Sequence, residues 1–197
     1  MYLLKKQAMG TENFGVEIDF LPVGEGSRSA DAIAIRYGDL ESGDMLKQQV
    51  IVIDGGTKQS GQALVELVNK YYGTSYVDLV IMTHPDKDHA SGLTEVMNNL
   101  TVGELWMHQP WSHSTDIRQH FTDGRITNSS LERRLRVSMD IAHEVEQIAI
   151  EKKIRIVEPF AGIRSGDAVI TVLGPSREYY QRLLPNFSKS KCRDSKS

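Results

Sequence analysis

The sequence is poor in cysteine: Cys192 is the single thiol in 197 residues. One thiol excludes both a disulfide framework and a multi-cysteine zinc site. Long hydrophobic runs are also missing, since no stretch approaches the roughly 18 consecutive apolar residues of a membrane-spanning helix. The short apolar start is followed at once by Lys5 and Lys6, which is the wrong order for a secretory signal. These absences predict a cytoplasmic protein with no membrane partner.

A strong charge of one sign is missing as well. Twenty-three basic and 26 acidic side chains leave a net charge of −3, which excludes a general electrostatic attraction to nucleic acid. Forty per cent of the residues are hydrophobic, which is enough for one globular core. The last ten residues, SKSKCRDSKS, contain no apolar anchor. We therefore expect one domain over residues 1–187 and a disordered basic, serine-rich tail over residues 188–197.

The hydrophobic pattern changes along the chain from strand-like alternation to helical spacing. Strands are predicted at 15–23, 30–37, 49–53, 77–82, 103–107, 153–157 and 168–173. Helices are predicted over 64–73, 90–100 and 176–184, and the longest over 131–152, begun by a capping box at Ser129–Glu132. Three successive strands at the start favour an antiparallel beginning, and the order as a whole predicts a mixed α/β (α+β) fold.

The most informative segment is THPDKDHASGL, residues 83–93. It places His84, Asp86, Asp88 and His89 directly after an apolar strand and before a helix, a junction where ligands often bind. Crowded carboxylates repel each other unless a cation holds them, and imidazole and carboxylate are both ligands of divalent metals. The pattern predicts a metal site. The alternative is a solvated turn that caps the helix.

This segment resembles the H-x-H-x-D-H signature of the metallo-β-lactamase superfamily, and the Ser91-Gly92-Leu93 that follows is similar to the small-glycine-apolar continuation in that family. The upstream IVIDGG, residues 51–56, resembles the family's strand that ends in an aspartate and glycines. Residues 20–36, FLPVGEGSRSADAIAIR, look like the opening hairpin of one branch, the hydrolase domain of competence-type DNA-uptake proteins.

The resemblance implies an αββα sandwich, of which this chain holds mainly the N-terminal half. It implies that His84 and Asp86 bind a first metal ion, and that Asp88 and His89 bind a second. Asp88 would also orient the attacking water as a catalytic residue, and Asp54 would fix the metal loop by hydrogen bonds. The implied activity is hydrolysis by a metal-bound hydroxide, on a small-molecule or nucleic-acid phosphodiester or a related ester.

Two departures from the family pattern shape the expectation. Asp86 stands where the signature has a second histidine, and a carboxylate moves the metal preference toward manganese or iron. Zinc stays the default, because the resembled family usually uses it. The family's later half supplies a bridging aspartate and a further histidine, whereas no histidine follows Pro175 and Asp194 lies in the tail. We therefore expect a chain truncated at its C-terminus. The alternative is a non-catalytic half-domain, a weak metal binder or an interaction module that oligomerises through an exposed sheet face.

Other histidines lie outside the motif. His108 and His113 flank Trp111 after a predicted strand; we expect neither to line the site, and if one does, contact with substrate is favoured over metal ligation. His120 follows in the same polar insertion. His143 lies between polar neighbours on the long predicted helix, which indicates a solvated position.

Overall fold

The computed structural model describes residues 14–23, 30–118 and 127–190, and a six-stranded sheet is its centre. The strands are β1 (Phe14–Phe20), β2 (Ala32–Asp39), β3 (Gln48–Gly55), β4 (Tyr76–Ile81), β5 (Thr101–Trp106) and β6 (Arg155–Val157). They lie side by side in chain order. The first three pair antiparallel, as the sequence predicts, and β3 to β6 run parallel.

Six α-helices accompany the strands in the described part of the chain. They are α1 (Lys58–Lys70), α2 (Lys87–Asn99), α3 (Ser114–Ile117), α4 (Asn128–Ser138), α5 (Asp140–Glu151) and α6 (Arg177–Ser190). Two 3₁₀ turns precede β3 and α3. The six-stranded sheet and its helices confirm the mixed α/β class and are consistent with the αββα type. No helix in the described ranges is both long and apolar enough to cross a bilayer.

The main core lies between the sheet and helices α1, α2 and α5. Alternate residues of β3, Val50 and Val52, point into it, as strand geometry requires. Leu64 of α1 and Leu93 of α2 meet them there without solvent exposure. This core fixes where the first turn of α2 begins relative to the end of β3.

Glycines let α2 approach β3 and α1 at backbone contact distance. The Gly92 N–H donates to the Gly56 carbonyl over 2.9 Å. A Cβ on Gly92 would lie 1.8 Å from the Gly55 carbonyl oxygen, and one on Gly61 of α1 would lie 2.3 Å from the Gly92 oxygen. No side chain fits at this crossing, so glycine is required for steric reasons at these positions.

The opposite face of the sheet is also apolar, and it is only partly covered. Ile51, Leu79 and Trp106 form a second cluster there, under a short hairpin joined by the Arg164–Thr171 bridge. Toward β1 the face is open: its outward side chains are between 43% and 75% exposed, namely Phe14, Val16, Ile18 and Phe20. An exposed apolar sheet face was expected for a half-sandwich, and it is present among the described residues.

The helix predicted over residues 131–152 is wrong as a single element. Met139 has φ −126° and ψ 51°, which is outside the helical region, and it separates α4 from α5. At the break the Ser138 hydroxyl donates to the Leu135 carbonyl and the Ile141 N–H donates to the Asp140 side chain, which are local side-chain alternatives to regular helix bonds. The capping box is formed by Thr127 and Ser130, not by Ser129 and Glu132.

Two further expectations differ at the C-terminal end. Residues 168–173 belong to the hairpin and not to the sheet, because their hydrogen bonds go to residues 162–165. Helix α6 runs to Ser190 with Pro185 inside it, which is longer than the predicted range of 176–184. Residues 191–197 of the predicted tail, with Cys192 and Asp194, lie outside the described residues.

We predict that Gly92→Ala lowers the free energy of unfolding by at least about 3 kcal/mol, because the added methyl must push α2 away from β3. Urea denaturation followed by circular dichroism measures this loss. The control is Gly174→Ala, since a Cβ at the exposed Gly174 meets no atom within 4 Å. Its expected change is about 0.5 kcal/mol or less. Equal stabilities of the two variants would refute the packing argument, and an insoluble Gly92→Ala beside a soluble control would support it.

Candidate metal centre

The carboxyl ends of the parallel strands bring polar side chains to one edge of the sheet. Asp54 lies at the end of β3 and His84 follows β4. His108 follows β5 and Glu158 follows β6. Edges of this kind are where α/β sheets bind ligands. These four side chains therefore include members of the site predicted from the sequence, and they extend from it to the ends of β5 and β6.

Asp54 is the buried anchor of this edge. Its side chain is 1% exposed, and its backbone has φ 53°, a left-handed conformation that aspartate and asparagine tolerate better than most residues. Oδ1 accepts the Thr83 N–H over 2.8 Å and Oδ2 accepts the Thr83 hydroxyl over 2.5 Å. Asp54 thus ties the loop after β4 to the end of β3.

Two imidazoles complete a compact group with Asp54. The rings of His84 and His89 lie 3.9 Å apart between centroids. One ligand atom from each of the three residues lies within 4.8 Å of the other two. His89 is buried, and its Nδ1 is 3.3 Å from Asp54 Oδ2. A carboxylate and two imidazoles at this spacing can converge on one ion.

The hydrogen bonds select the histidine tautomers that bind metals. The Thr83 hydroxyl has one proton, which it donates to Asp54, so its oxygen accepts from His84 Nδ1–H over 2.8 Å. His84 then carries its lone pair on Nε2. By the same reasoning His89 donates from Nδ1 to Asp54, which leaves its lone pair on Nε2. A hydrogen bond at Nδ1 that frees Nε2 is the arrangement typical of metal-ligating histidine.

The other two predicted ligands lie outside this group. The Asp86 side chain is 73% exposed, with Oδ2 3.8 Å from His84 Nε2. Asp88 is half-buried in the first turn of α2. The structure thus brings together His84, His89 and Asp54, and it does not add Asp86 or Asp88 to them. Metal binding by these two, and the catalytic role of Asp88, stay predictions.

Sequence reasoning missed two participants. Thr83 supplies the hydroxyl that orients both Asp54 and His84, and Asp31 places Oδ2 3.7 Å from His89 Nδ1. Asp31 reaches the site because the start of β2 pairs with the end of β3, Ala32 opposite Gly55. An antiparallel start was predicted, so this register was the available signal for Asp31. Thr83 has no motif signal beyond its place before His84.

Glu158 organises the part of the edge that lies beyond β5. It accepts from His113 Nε2 over 3.0 Å and from the Gln109 N–H over 3.0 Å, and Arg177 lies 3.8 Å away. Burial by itself would raise the pKa of Glu158, but the neighbouring imidazoles of His108 and His113 and the Gln109 N–H lower it to about 2. His113 is therefore held in a buried structural network and does not line the site.

His108 and His143 have different surroundings. His108 lines a cavity together with His84, and its contact with substrate stays a prediction. His143 on α5 is one-third exposed and bonds the buried Glu146 over 2.9 Å, so it is tied into the helix packing. Glu146 also accepts from Trp111 and Arg136, which joins α4 and α5 to the 3₁₀ turn. His120 lies outside the described residues.

A family model for the metallo-beta-lactamase superfamily matches residues 46–172, more than half of the chain. The matched range covers Asp54, His84 and His89 and ends before α6. A search of curated proteins finds no match.

We predict that Glu158→Gln removes a pH-dependent part of the stability. The folded pKa of about 2 lies below the ordinary value of 4.5, so the ionised Glu158 stabilises the fold above pH 4.5, and this contribution disappears as pH falls toward 2. The variant should be about 1–3 kcal/mol less stable than the wild type at pH 7. That difference should shrink steadily between pH 4.5 and pH 2.

Urea midpoints at pH 7, 4.5, 3.5 and 2.5 measure the effect. Glu41→Gln, at an exposed carboxylate, is the matched control and should differ from the wild type by about 0.5 kcal/mol or less throughout. A stability difference for Glu158→Gln that stays constant down to pH 2.5 would contradict the assignment of charge to the half-buried Glu158.

Proposed function

The chain belongs to the metallo-β-lactamase superfamily, and from that premise we propose that it is a metal-dependent hydrolase of phosphodiesters or related esters. The superfamily domain is generally hydrolytic. The observation that carries the proposal is the convergence of Asp54, His84 and His89 at the carboxyl edge of the sheet. Their chemistry, two imidazoles with Nε2 lone pairs that Thr83 and the Asp54 carboxylate hold in place, fits a divalent cation.

His84 and His89 would hold the ion through Nε2, and Thr83 and Asp54 would keep both rings in the required tautomer. Asp86 lies close enough to His84 to join on a small movement of an exposed side chain. Its carboxylate is the harder ligand that keeps manganese or iron beside zinc as the metal to be tested. Asp88, on the same helical turn as His89, is the proposed acceptor for the proton of the attacking water.

A bound ion would supply Lewis acidity and lower the pKa of a coordinated water toward neutrality. In the proposed reaction the water oxygen bonds to the phosphorus or carbonyl carbon, and the bond to the ester oxygen breaks. One water proton passes to Asp88, and the leaving alcohol takes up a proton. The residues of the chain thus position water, accept a proton and bind the ester next to the ion.

The phosphodiester as substrate rests on the similarity of residues 20–36 to the opening hairpin of the DNA-uptake branch. Neighbouring charge does not add to a nucleic-acid assignment. Arg136 and Arg177 are each paired with a carboxylate, Glu146 and Glu158. Lys87, at the start of α2, pairs with Asp140 over 2.9 Å. The proposal therefore covers esters in general and not polynucleotides in particular.

We predict that the protein binds zinc or manganese stoichiometrically and hydrolyses bis(p-nitrophenyl) phosphate. His84→Ala and His89→Ala should each lower metal affinity at least tenfold and kcat/KM at least 100-fold, because each removes an imidazole from the donor set. Isothermal titration with each metal and absorbance of released p-nitrophenol are the two measurements.

His143→Ala is the matched control, since His143 lies on α5 away from the cluster. It should keep metal affinity and kcat/KM within about twofold of the wild type. Absence of metal binding by the wild type would contradict the proposed function. An unchanged metal affinity in the His84→Ala variant would contradict it as well. Circular dichroism of each variant separates loss of ligands from loss of fold.

A second candidate function is an interaction module that associates with a second copy of the chain through the open sheet face. The observation in its favour is the exposed row on β1, continuous with Ile33 and Ile35 on β2. Identical apolar faces can bury each other around a two-fold axis, which is the commonest symmetry of homodimers. This role does not require metal.

We predict that Val16→Lys weakens self-association, because the lysine charge would have to be buried in the joined faces. Light scattering after size exclusion measures the mass over a hundredfold concentration range. Val137→Lys is the matched control, since Val137 is an exposed valine on α4. A wild-type monomer at every concentration, or dissociation caused equally by both variants, would contradict this second candidate.

A further inference from the structure

An apolar cavity opens directly beside His84. It has a volume of about 120 Å³ and lies between the ends of β4 and β5 and helices α5 and α6. Its lining is almost entirely apolar and includes no lysine, arginine, aspartate or glutamate; the main walls are Met82, Pro85, Pro110, Met139, Ala142 and Leu184. Thr83 and His84 form the side toward the candidate metal centre. A group in this cavity would be next to a bond held at the cluster.

One wall of the cavity is aromatic. The rings of His108 and Tyr180 lie 4.4 Å apart between centroids and are inclined by 21°, so they are stacked. Burial, with the charge of Glu158, raises the pKa of Tyr180, which keeps its hydroxyl neutral. An aryl ring can pack against the edge or the remaining face of such an aromatic pair. Met82 and Met139 complete the space with flexible side chains that adapt to a ligand.

The cavity is a product of two features that the family motif does not contain. Met139 points into it because the helix breaks there, and Tyr180 and Leu184 belong to α6, beyond the matched residues 46–172. A wall built outside the matched range can vary without disturbing the metal loop. Such a wall is suited to select the substrate.

We propose that this cavity receives an aromatic group carried by the scissile ester, so that the substrates are aryl esters or aryl phosphodiesters. This inference rests on the proposed function, since it takes the ester to be held at Asp54, His84 and His89. A carbocyclic aryl ring suits the lining better than a nucleobase does. The polar edge of a nucleobase would lose its water with few partners in the cavity, which is unfavourable.

The first experiment tests the cavity without metal. Phenol is titrated into the metal-free protein, and the ¹³C-methyl resonances of its seven methionines are followed by NMR. Met82→Leu and Met139→Leu assign the two resonances of interest. Phenol should shift both and leave Met97 unchanged, because Met97 is fully buried and does not line the cavity. No shift at Met82 and Met139 would overturn the inference, whatever the protein does with metal.

The second experiment tests whether the cavity selects among ligands that bind at the metal centre. Phenylphosphonate, methylphosphonate and thymidine monophosphate are titrated into the metal-loaded protein, and phenylphosphonate should bind at least tenfold more tightly than the other two. Leu184→Phe, which fills the cavity, should abolish this preference and leave methylphosphonate affinity within twofold. The matched control is Leu183→Phe on the same helix, because the Leu183 side chain is 37% exposed and does not line the cavity. This variant should keep the preference for phenylphosphonate.

The outcomes separate the two proposals. Phenol binding by a protein that takes up no metal would overturn the proposed function and leave the aromatic cavity standing. Metal binding with equal affinities for phenylphosphonate and methylphosphonate would overturn the inference and leave the hydrolase proposal standing. Tighter binding of thymidine monophosphate than of phenylphosphonate would replace the aryl ester by a nucleotide. Thermal denaturation of Leu184→Phe shows whether the variant is folded, and Ala142→Leu fills the same cavity from α5 if it is not.

Discussion

The contact between the backbones of Gly92 and residues 55–56 is the constraint on which the site depends. It allows α2 to lie directly against the end of β3, where no side chain fits between them. His89 is three residues before this contact and Asp54 is one residue before Gly55, so the crossing of the two elements carries the imidazole to the carboxylate. A wider separation would keep the same sequence motif and lose the 3.3 Å approach of His89 to Asp54. Packing therefore decides whether the motif becomes a site.

Thr83 extends that constraint to the second imidazole. Asp54 uses both carboxylate oxygens on Thr83, and the Thr83 hydroxyl in turn fixes His84. The chain of hydrogen bonds runs from a buried charge to an accessible ring, and each link leaves one choice of donor and acceptor. The left-handed backbone at Asp54 is tolerated because these bonds, and the glycines that follow, stabilise the turn. Orientation of the ligands is thus built into the fold before any ion binds.

Local sequence patterns predicted much of the fold and of the candidate site, whereas the features that were not predicted depend on long-range contacts. The strands around Val52 and Val80 follow from hydrophobic periodicity, and so does α2, although it begins at Lys87 and includes His89, which the sequence placed before the helix. His84, His89 and Asp54 follow from the motif and the resemblance. The break at Met139 could not be predicted, because residues on both sides of it favour helix and the decision lies in the packing of α4 and α5. The approach of Asp31 depends on register, and the placement of Tyr180 depends on how α6 docks. Neither is encoded in the spacing of nearby residues.

The loop Thr83–Pro85 has a polar side and an apolar side, and this division bears on catalysis. On one side lie Asp54 and the two imidazoles; on the other lies the cavity walled by α5 and α6. An ester that spans the loop would put its charged, reacting end among the ligands and its apolar end among methionine and aromatic rings. Exclusion of water from the apolar side strengthens the electrostatic interactions at the reacting end, because the local dielectric is lower. The same loop would thereby both bind the ion and set which ester reaches it.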